Sequence, residues 1–177
     1  MKVFVMIDMQ NDFISGALGN AETREVLPLM GERLKEAVAD DNTAVLYTLD
    51  THYENYMETK EGRNLPVPHC IKGTNGHRIA DELLEILADT DSRAVEKITF
   101  GSTALASEIT EMCGGIPDEI ELAGVCTDIC VISNAMLLKS AFPEVDIIVN
   151  SKCSAGTSPK SHNRALDAMK MCQITII

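Results

Sequence analysis

The chain has no tryptophan and only three tyrosines and four phenylalanines in 177 residues. With so few aromatic side chains, the wall of any aromatic ligand pocket has to come from a handful of positions. Basic residues are scarce as well: 15 Lys and Arg stand against 27 Asp and Glu, a formal charge of −12. Binding to a phosphate backbone or an anionic membrane relies on clustered cations that release counterions, so nucleic acid and membrane are excluded as partners. No apolar run approaches the ~20 residues that a membrane span needs. The amino terminus meets Asp8 too early for a signal peptide, so the expected compartment is the cytoplasm. With 45% hydrophobic residues and no Pro, Ser or Gln tract, residues 1–177 read as one globular domain.

The six cysteines (Cys70, Cys113, Cys126, Cys130, Cys153 and Cys172) have no secretory context and read as reduced thiols. Cys126 and Cys130 are the only close pair, in CxxxC spacing, and no second pair completes a thiolate zinc site.

What is present is a repeated alternation. Apolar runs at Lys2–Asp8, Thr43–Leu49, Arg93–Glu96, Asp118–Val125, Val145–Val149 and Gln173–Ile177 read as strands. Helical spacing appears over Ala21–Asp40, Arg78–Leu87, Thr103 to Met112 behind a Ser102 cap, Asp128–Ser140, and from the Ser158-Pro159 start to Met171. The segment Thr51–His77 reads as a long irregular loop, which in a compact domain is usually functional. The pattern predicts an α/β fold: an open, six-stranded, mostly parallel sheet with helices on both faces.

Ligands bind such sheets at the carboxyl ends of the strands, where Asp8, Asp50, Lys97 and the Cys126–Cys130 turn all fall. The stretch Glu121–Val131, ELAGVCTDICV, ends a strand, and Thr127 and Asp128 are N-cap residue types. Apolar positions at helical spacing follow, so Cys130 falls in a first helical turn, where free N–H groups and the dipole favour a thiolate. Its pKa is expected to fall below the ~8.5 of a free thiol. A small buried hydrophobe is the plain alternative, and the convergence of strand ends favours the nucleophile. A thiolate attacking a carbonyl needs a base and donors for the oxyanion; Asp8 is the available base and Lys97 its cationic neighbour. Asp50, His52 and His69 are donor types that suit zinc, iron or manganese, with Glu58 a further oxygen ligand. His77 and His162 read as a helix-start and a helix-face residue without a catalytic role.

These residues lie in five stretches: IDMQNDF at Ile7–Phe13, DTH at Asp50–His52, PHCIKGTNG at Pro68–Gly76, EKITFGST at Glu96–Thr103 and GVCTDICV at Gly124–Val131. In this order and spacing the chain resembles the isochorismatase-like cysteine hydrolases, and within them the nicotinamidases. The resemblance implies a Rossmann-like three-layer fold and a triad of Cys130 as nucleophile, Asp8 as proton acceptor and Lys97 as cation. It also implies a cis peptide at Val125–Cys126, with the N–H groups of Cys126 and Cys130 facing the oxyanion. A divalent metal, zinc before iron or manganese, would sit on Asp50, His52 and His69, with Glu58 the closest match for a further ligand. Nicotinamidases commonly have Trp after the metal-binding Asp and a further His in the next loop; Thr51 and the segment NYMETKEG stand there instead. The aromatic wall would then come from Phe13, Phe100 or Tyr53. The implied reaction converts nicotinamide to nicotinate and ammonia through a thioester at Cys130. The alternatives are another small amide of the N-carbamoyl or ureidoacrylate type and a silent binding protein on the same fold. Cleavage of a vinyl ether such as isochorismate needs no thiol nucleophile, and a binding protein has no need of Asp8, Lys97 and Cys130 together. Whether the chain forms a homo-oligomer is left open.

Overall fold

A computed structural model describes all residues 1–177. Strand β1 (Lys2–Ile7) shows why the core has two sides: Val3, Val5 and Ile7 pack into one apolar cluster and Phe4 and Met6 into another. A strand apolar on both faces belongs in the middle of a sheet covered by helices on both sides. It lies there. The six strands, all parallel, run in the order β3-β2-β1-β4-β5-β6, with β2 (Thr43–Asp50), β3 (Arg93–Lys97), β4 (Glu119–Gly124), β5 (Asp146–Val149) and β6 (Thr175–Ile176).

One face is covered by α2 (Ala21–Ala39) and α4 (Asp81–Leu87), which bury Met30, Leu34, Leu83 and Leu87. The other is covered by α5 (Leu105–Cys113), α6 (Ile132–Ala141) and α7 (Pro159–Met171) through Ile109, Leu138 and Met169. Helix α7 starts as its sequence predicts, with Ser158 accepting from the Ser161 N–H and Pro159 in the first turn. No helix is long and apolar enough to cross a membrane.

The chain begins in the centre, builds β2 and β3 to one side, then returns to place β4, β5 and β6 on the other. The reversal lies between β1 and β4, and open α/β sheets hold their ligands outside such a point. The two strands run close together there. Gly124 has φ 136°, and a Cβ on it would stand 2.1 Å from the Ile7 carbonyl oxygen, so no larger residue fits. Residues following β1 and β4 therefore share one small space.

Several boundaries differ from those predicted. The loop after β2 is not irregular throughout: it holds a 3-10 turn at Tyr56–Glu58 and a short helix α3 (Lys60–Asn64) capped by Thr59. A second short helix, α1 (Asn11–Ile14), of four residues, follows β1. Helix α4 starts at Asp81 rather than Arg78, and Ser102 caps nothing: α5 starts at Leu105, while the Ser102 N–H donates to Asn134 Oδ1 at 2.9 Å. Thr127 and Asp128 are not caps either. Residues Thr127–Val131 form a π-type turn ahead of α6, in which the Val131 N–H reaches back to the Cys126 carbonyl at 3.1 Å.

Candidate active site and metal cluster

At the carboxyl edge of β1, β3 and β4 the structure brings Asp8, Lys97 and Cys130 together. Asp8 leaves β1 in a left-handed conformation, φ 48°, which turns its carboxylate across the strand ends. Its Oδ1 accepts from Thr48 Oγ1 at 2.6 Å, and its Oδ2 pairs with Lys97 Nζ at 2.7 Å and accepts no other bond. Lys97, the last residue of β3, also reaches Thr99 O at 3.1 Å, Asp50 Oδ1 at 3.3 Å and Cys130 Sγ at 3.6 Å. The Val125–Cys126 peptide is cis, and the Cys126 N–H has no acceptor within the protein backbone.

The expected fall in the thiol's pKa does not occur. Cys130 is only 5% exposed, and burial first, then the negative charge of Asp8, push the thiol well above its ordinary value; Lys97 pulls the other way. One helical turn's dipole does not offset that loss of hydration. Burial likewise raises the Asp8 carboxyl against the pull of Lys97, with the Asp50 charge adding to the rise. For Lys97, burial acts downward, but Asp8, Cys130 and Asp50 outweigh it and hold the side chain as an ammonium. The site thus keeps a protonated thiol beside a buried carboxylate of raised proton affinity.

Asp50 links this triad to a second group. Its Oδ2 lies 3.1 Å from His52 Nε2 and 3.5 Å from His69 Nε2, and Glu61 Oε1 lies 3.7 and 3.9 Å from the same two nitrogens. All four ligand atoms fall within 4.8 Å of one another. Bonds of ~2.0–2.2 Å in a tetrahedron put neighbouring ligand atoms roughly 3.4 Å apart, so the spacing suits one divalent ion. The donor chemistry agrees. His69 Nδ1 faces the Val67 carbonyl at 2.8 Å, a bond that leaves the Nε2 lone pair turned to the cluster. Asp8, Asp50 and Glu61 also set three negative charges against the single Lys97. Burial and the Asp50 charge push Glu61 up, as expected for carboxylates in excess. For Asp50 itself, burial acts upward, but the adjoining His52 and His69 imidazoles and the Lys97 charge hold it below the ordinary range.

Backbone pairing assembles the cluster. The His52 N–H donates to Cys70 O at 3.0 Å and the Lys72 N–H to His52 O at 2.8 Å, which zips the His69 segment to the end of β2. The fully buried Gln10 side chain accepts from the Asp50 N–H at 2.8 Å and donates to the Asp50 carbonyl at 2.9 Å, fixing the shared carboxylate. A cavity of ≈ 420 Å³ opens beside two of these ligands, lined by His52, Glu61, Tyr56, Ile98 and Thr99 among others.

The family model of the isochorismatase domain matches residues 2–177. The chain belongs to the isochorismatase family. It is 30% identical over 175 residues to an uncharacterized isochorismatase family protein of Bacillus subtilis, covering 93% of this chain and 92% of that one. Among solved structures it is similar to a pyrazinamidase/nicotinamidase from Streptococcus mutans, with TM-score 0.86, 26% identity and 100% of both chains covered. It is also similar to a pyrazinamidase of Pyrococcus horikoshii in complex with zinc, with TM-score 0.81, 25% identity and 99% and 98% of the two chains covered.

Within this isochorismatase-family site, one expected ligand is corrected. Glu58 is exposed in the 3-10 turn and lies outside the cluster; Glu61 takes its place. The cause is local. Thr59 Oγ1 accepts from the Gly62 N–H at 2.9 Å and starts α3, and a Cβ on Gly62 would lie 2.0 Å from the Tyr56 carbonyl oxygen. That close approach folds α3 against the preceding turn and points Glu61 inward. The Thr59 cap type is the one signal in the sequence that could have revealed it.

Of the aromatic residues, Phe13 is buried and meets the His69 ring edge-on at 5.6 Å, whereas Tyr53 and Phe100 stand exposed, Tyr53 on the rim of the cavity. Tyr56, which the sequence did not single out, packs edge-on against His52 at 4.7 Å and His69 at 5.1 Å. His77 bonds Thr51 Oγ1 at 2.8 Å, and His162 bonds Thr127 Oγ1 at 2.9 Å beneath the nucleophile turn.

The correction has a direct test. Glu61→Ala should weaken zinc binding by ~10-fold or more, since even outer residues of metal sites cost 10–100-fold, while Glu58→Ala should bind as the parent does. Elemental analysis after dialysis against graded zinc gives the comparison. Equal retention by both variants would remove Glu61 from the ligand set.

Proposed function

We propose that this chain is an amidase that hydrolyses the C–N bond of a small carboxamide, nicotinamide foremost, through an acyl thioester on Cys130. One observation carries the reading: the Lys97 ammonium touches Asp8 at 2.7 Å, Cys130 Sγ at 3.6 Å and Asp50 at 3.3 Å, which joins a thiol, a base and a metal-type cluster. The relatives and neighbours that act on nicotinamide or pyrazinamide support the substrate class.

In this reading the thiol stays protonated until substrate arrives. As sulfur attacks the carbonyl carbon, its proton passes to Asp8 Oδ2, the oxygen that carries no other bond but the Lys97 ion pair. Lys97 remains an ammonium and stabilises the negative charge moving between sulfur and carboxylate. In this reading the Cys126 N–H, which no backbone acceptor takes up, receives the oxyanion. Asp8 then returns the proton to the departing nitrogen, which leaves as ammonia, and the acyl group remains on sulfur. Asp8, again a carboxylate, takes a proton from the water that cleaves the thioester and gives it back to the thiol. Asp50, His52, Glu61 and His69 would hold a divalent metal, zinc or iron or manganese, which supplies a Lewis-acidic anchor for a heteroaromatic nitrogen. Phe13 packs edge-on against His69 and Tyr56 against His52, and Tyr56 gives the cavity beside His52 and Glu61 an aromatic side.

Ammonia release across a panel of nicotinamide, pyrazinamide, an N-carbamoyl amine and a ureidoacrylate decides among the substrates. Turnover of the two ring carboxamides at least ~100-fold faster than of the others is expected, a gap of about 2.7 kcal/mol in transition-state binding. Preference for the carbamoyl compounds would overturn the substrate while leaving the chemistry.

A further inference from the structure

Asn134 belongs to neither the triad nor the metal cluster, yet it is fully buried and bonded to the backbone of Cys130 and of the stretch after β3. Its Nδ2 donates to the Cys130 carbonyl at 2.8 Å and to the Phe100 carbonyl at 3.2 Å, and its Oδ1 accepts from the Ser102 N–H at 2.9 Å. Three of the four hydrogen bonds an amide side chain can make are thus spent on two backbone segments distant in sequence. One segment is the π-type turn that carries Cys130. The other is the stretch after β3, where Thr99 O holds the Lys97 ammonium at 3.1 Å and Phe100 is the next residue.

We propose that Asn134 is a positioning residue that locks the 98–102 stretch onto the Cys130 turn, so that ammonium and sulfur keep their working separation. The logic is geometric. Lys97 is anchored from β1 and β2 by Asp8 and Asp50, but its contact toward the nucleophile side runs through Thr99 and Cys130. Apart from Lys97 itself, Asn134 is the one side chain that joins those two segments by hydrogen bonds at both ends. A turn of π type leaves the regular ladder of the helix, so its carbonyls need partners from elsewhere, and Asn134 supplies the one for Cys130. The same amide fixes the carbonyl of Phe100, whose side chain is exposed.

This inference rests on Cys130 being the nucleophile, so the test reads the thiol directly as well as turnover. Asn134→Leu keeps the branched shape at a somewhat larger volume and removes all three bonds; Asn134→Ala carries the same measurement if the leucine variant does not fold. Leu138→Ala, one turn along α6 and buried, loosens the same helix without removing any hydrogen bond to either segment and serves as control. Steady-state nicotinamide hydrolysis is compared with the rate at which iodoacetamide labels the Cys130 peptide, followed by mass spectrometry. In the Asn134 variants kcat should fall about 10- to 100-fold with KM within about threefold, because a small misplacement costs the transition state and not the bound substrate. Cys130 labelling should slow with it. Leu138→Ala should melt at lower temperature with kcat and labelling unchanged. Asn134 variants that melt lower but keep the parent kcat and labelling rate would show a structural role alone and overturn the proposal. If inactivation of the parent protein tracks a cysteine other than Cys130, the nucleophile reading falls, and this inference with it.

Discussion

Cys130→Ala should lower amide hydrolysis by about 10⁴-fold or more, as removal of a covalent nucleophile does in other hydrolases, while Cys126→Ala should stay within about tenfold of the parent. The two thiols are four residues apart and both buried, so burial alone does not separate them. Their neighbours do. Cys130 Sγ has the Lys97 ammonium at 3.6 Å and packs with the α5, α6 and α7 side of the core. Cys126 packs with the opposite cluster, and burial together with the Asp128 charge pushes its thiol up to about 12. Cys126 Sγ makes no hydrogen bond to a base or a cation, and a neutral thiol so placed is a small hydrophobe. Labelling supports the kinetics if it is done with care for Cys172, which is exposed and would consume a limiting reagent first. In a Cys172→Ser background, iodoacetamide, itself a small primary carboxamide, should label Cys130 in step with loss of activity. Inactivation that tracks Cys126 instead would reverse the assignment.

How far the site could be read from residues alone depends on the range of the forces involved. Val3, Val5 and Ile7 alternating with Phe4 and Met6 is a local pattern, and it suffices to place β1 in the middle of a covered sheet. Once the strands are placed, the parallel topology carries Asp8, Asp50, Lys97 and Cys130 to one edge, because each closes a strand or opens the next turn. Glu61 was hidden for the opposite reason. A helix of five residues is too short to show a period, and what turns Glu61 inward is the contact of Gly62 with Tyr56. The direction of the thiol's pKa was misread because a helix start is visible in sequence whereas burial is the sum of everything packed around it. Thr48, Gln10 and Asn134 act through hydrogen bonds to partners as many as 67 residues away, and no local pattern announces those.

Asp8→Asn should reduce kcat by about 10²- to 10⁴-fold, the usual worth of a positioned acid–base group, with little change in KM. The amide keeps the shape and can still accept from Thr48, but it offers no carboxylate oxygen for the thiol proton and cannot hand a proton to the leaving nitrogen. Lys97→Ala should cost about 10²-fold at neutral pH and should do so differently. Lys97 is the one cation against Asp8, and it lowers the pKa values of both Asp8 and Cys130. Without it both rise. Activity that needs the Asp8 carboxylate is present above that group's pKa and lost as pH falls through it, so the acid limb of the pH–rate profile moves to higher pH and activity partly recovers there. Asp8→Asn has no such group left to titrate and should show no recovery. Because Asp8 and Lys97 act through one shared ion pair at 2.7 Å, the double variant should be little worse than the poorer single one. Rates should be measured well below each variant's melting temperature, since a buried carboxylate stripped of its partner costs about 3–5 kcal/mol of stability. Losses that simply multiply in the double variant, or a Lys97→Ala profile with its acid limb unmoved, would show that the carboxylate and the ammonium do not work as one unit on the thiol.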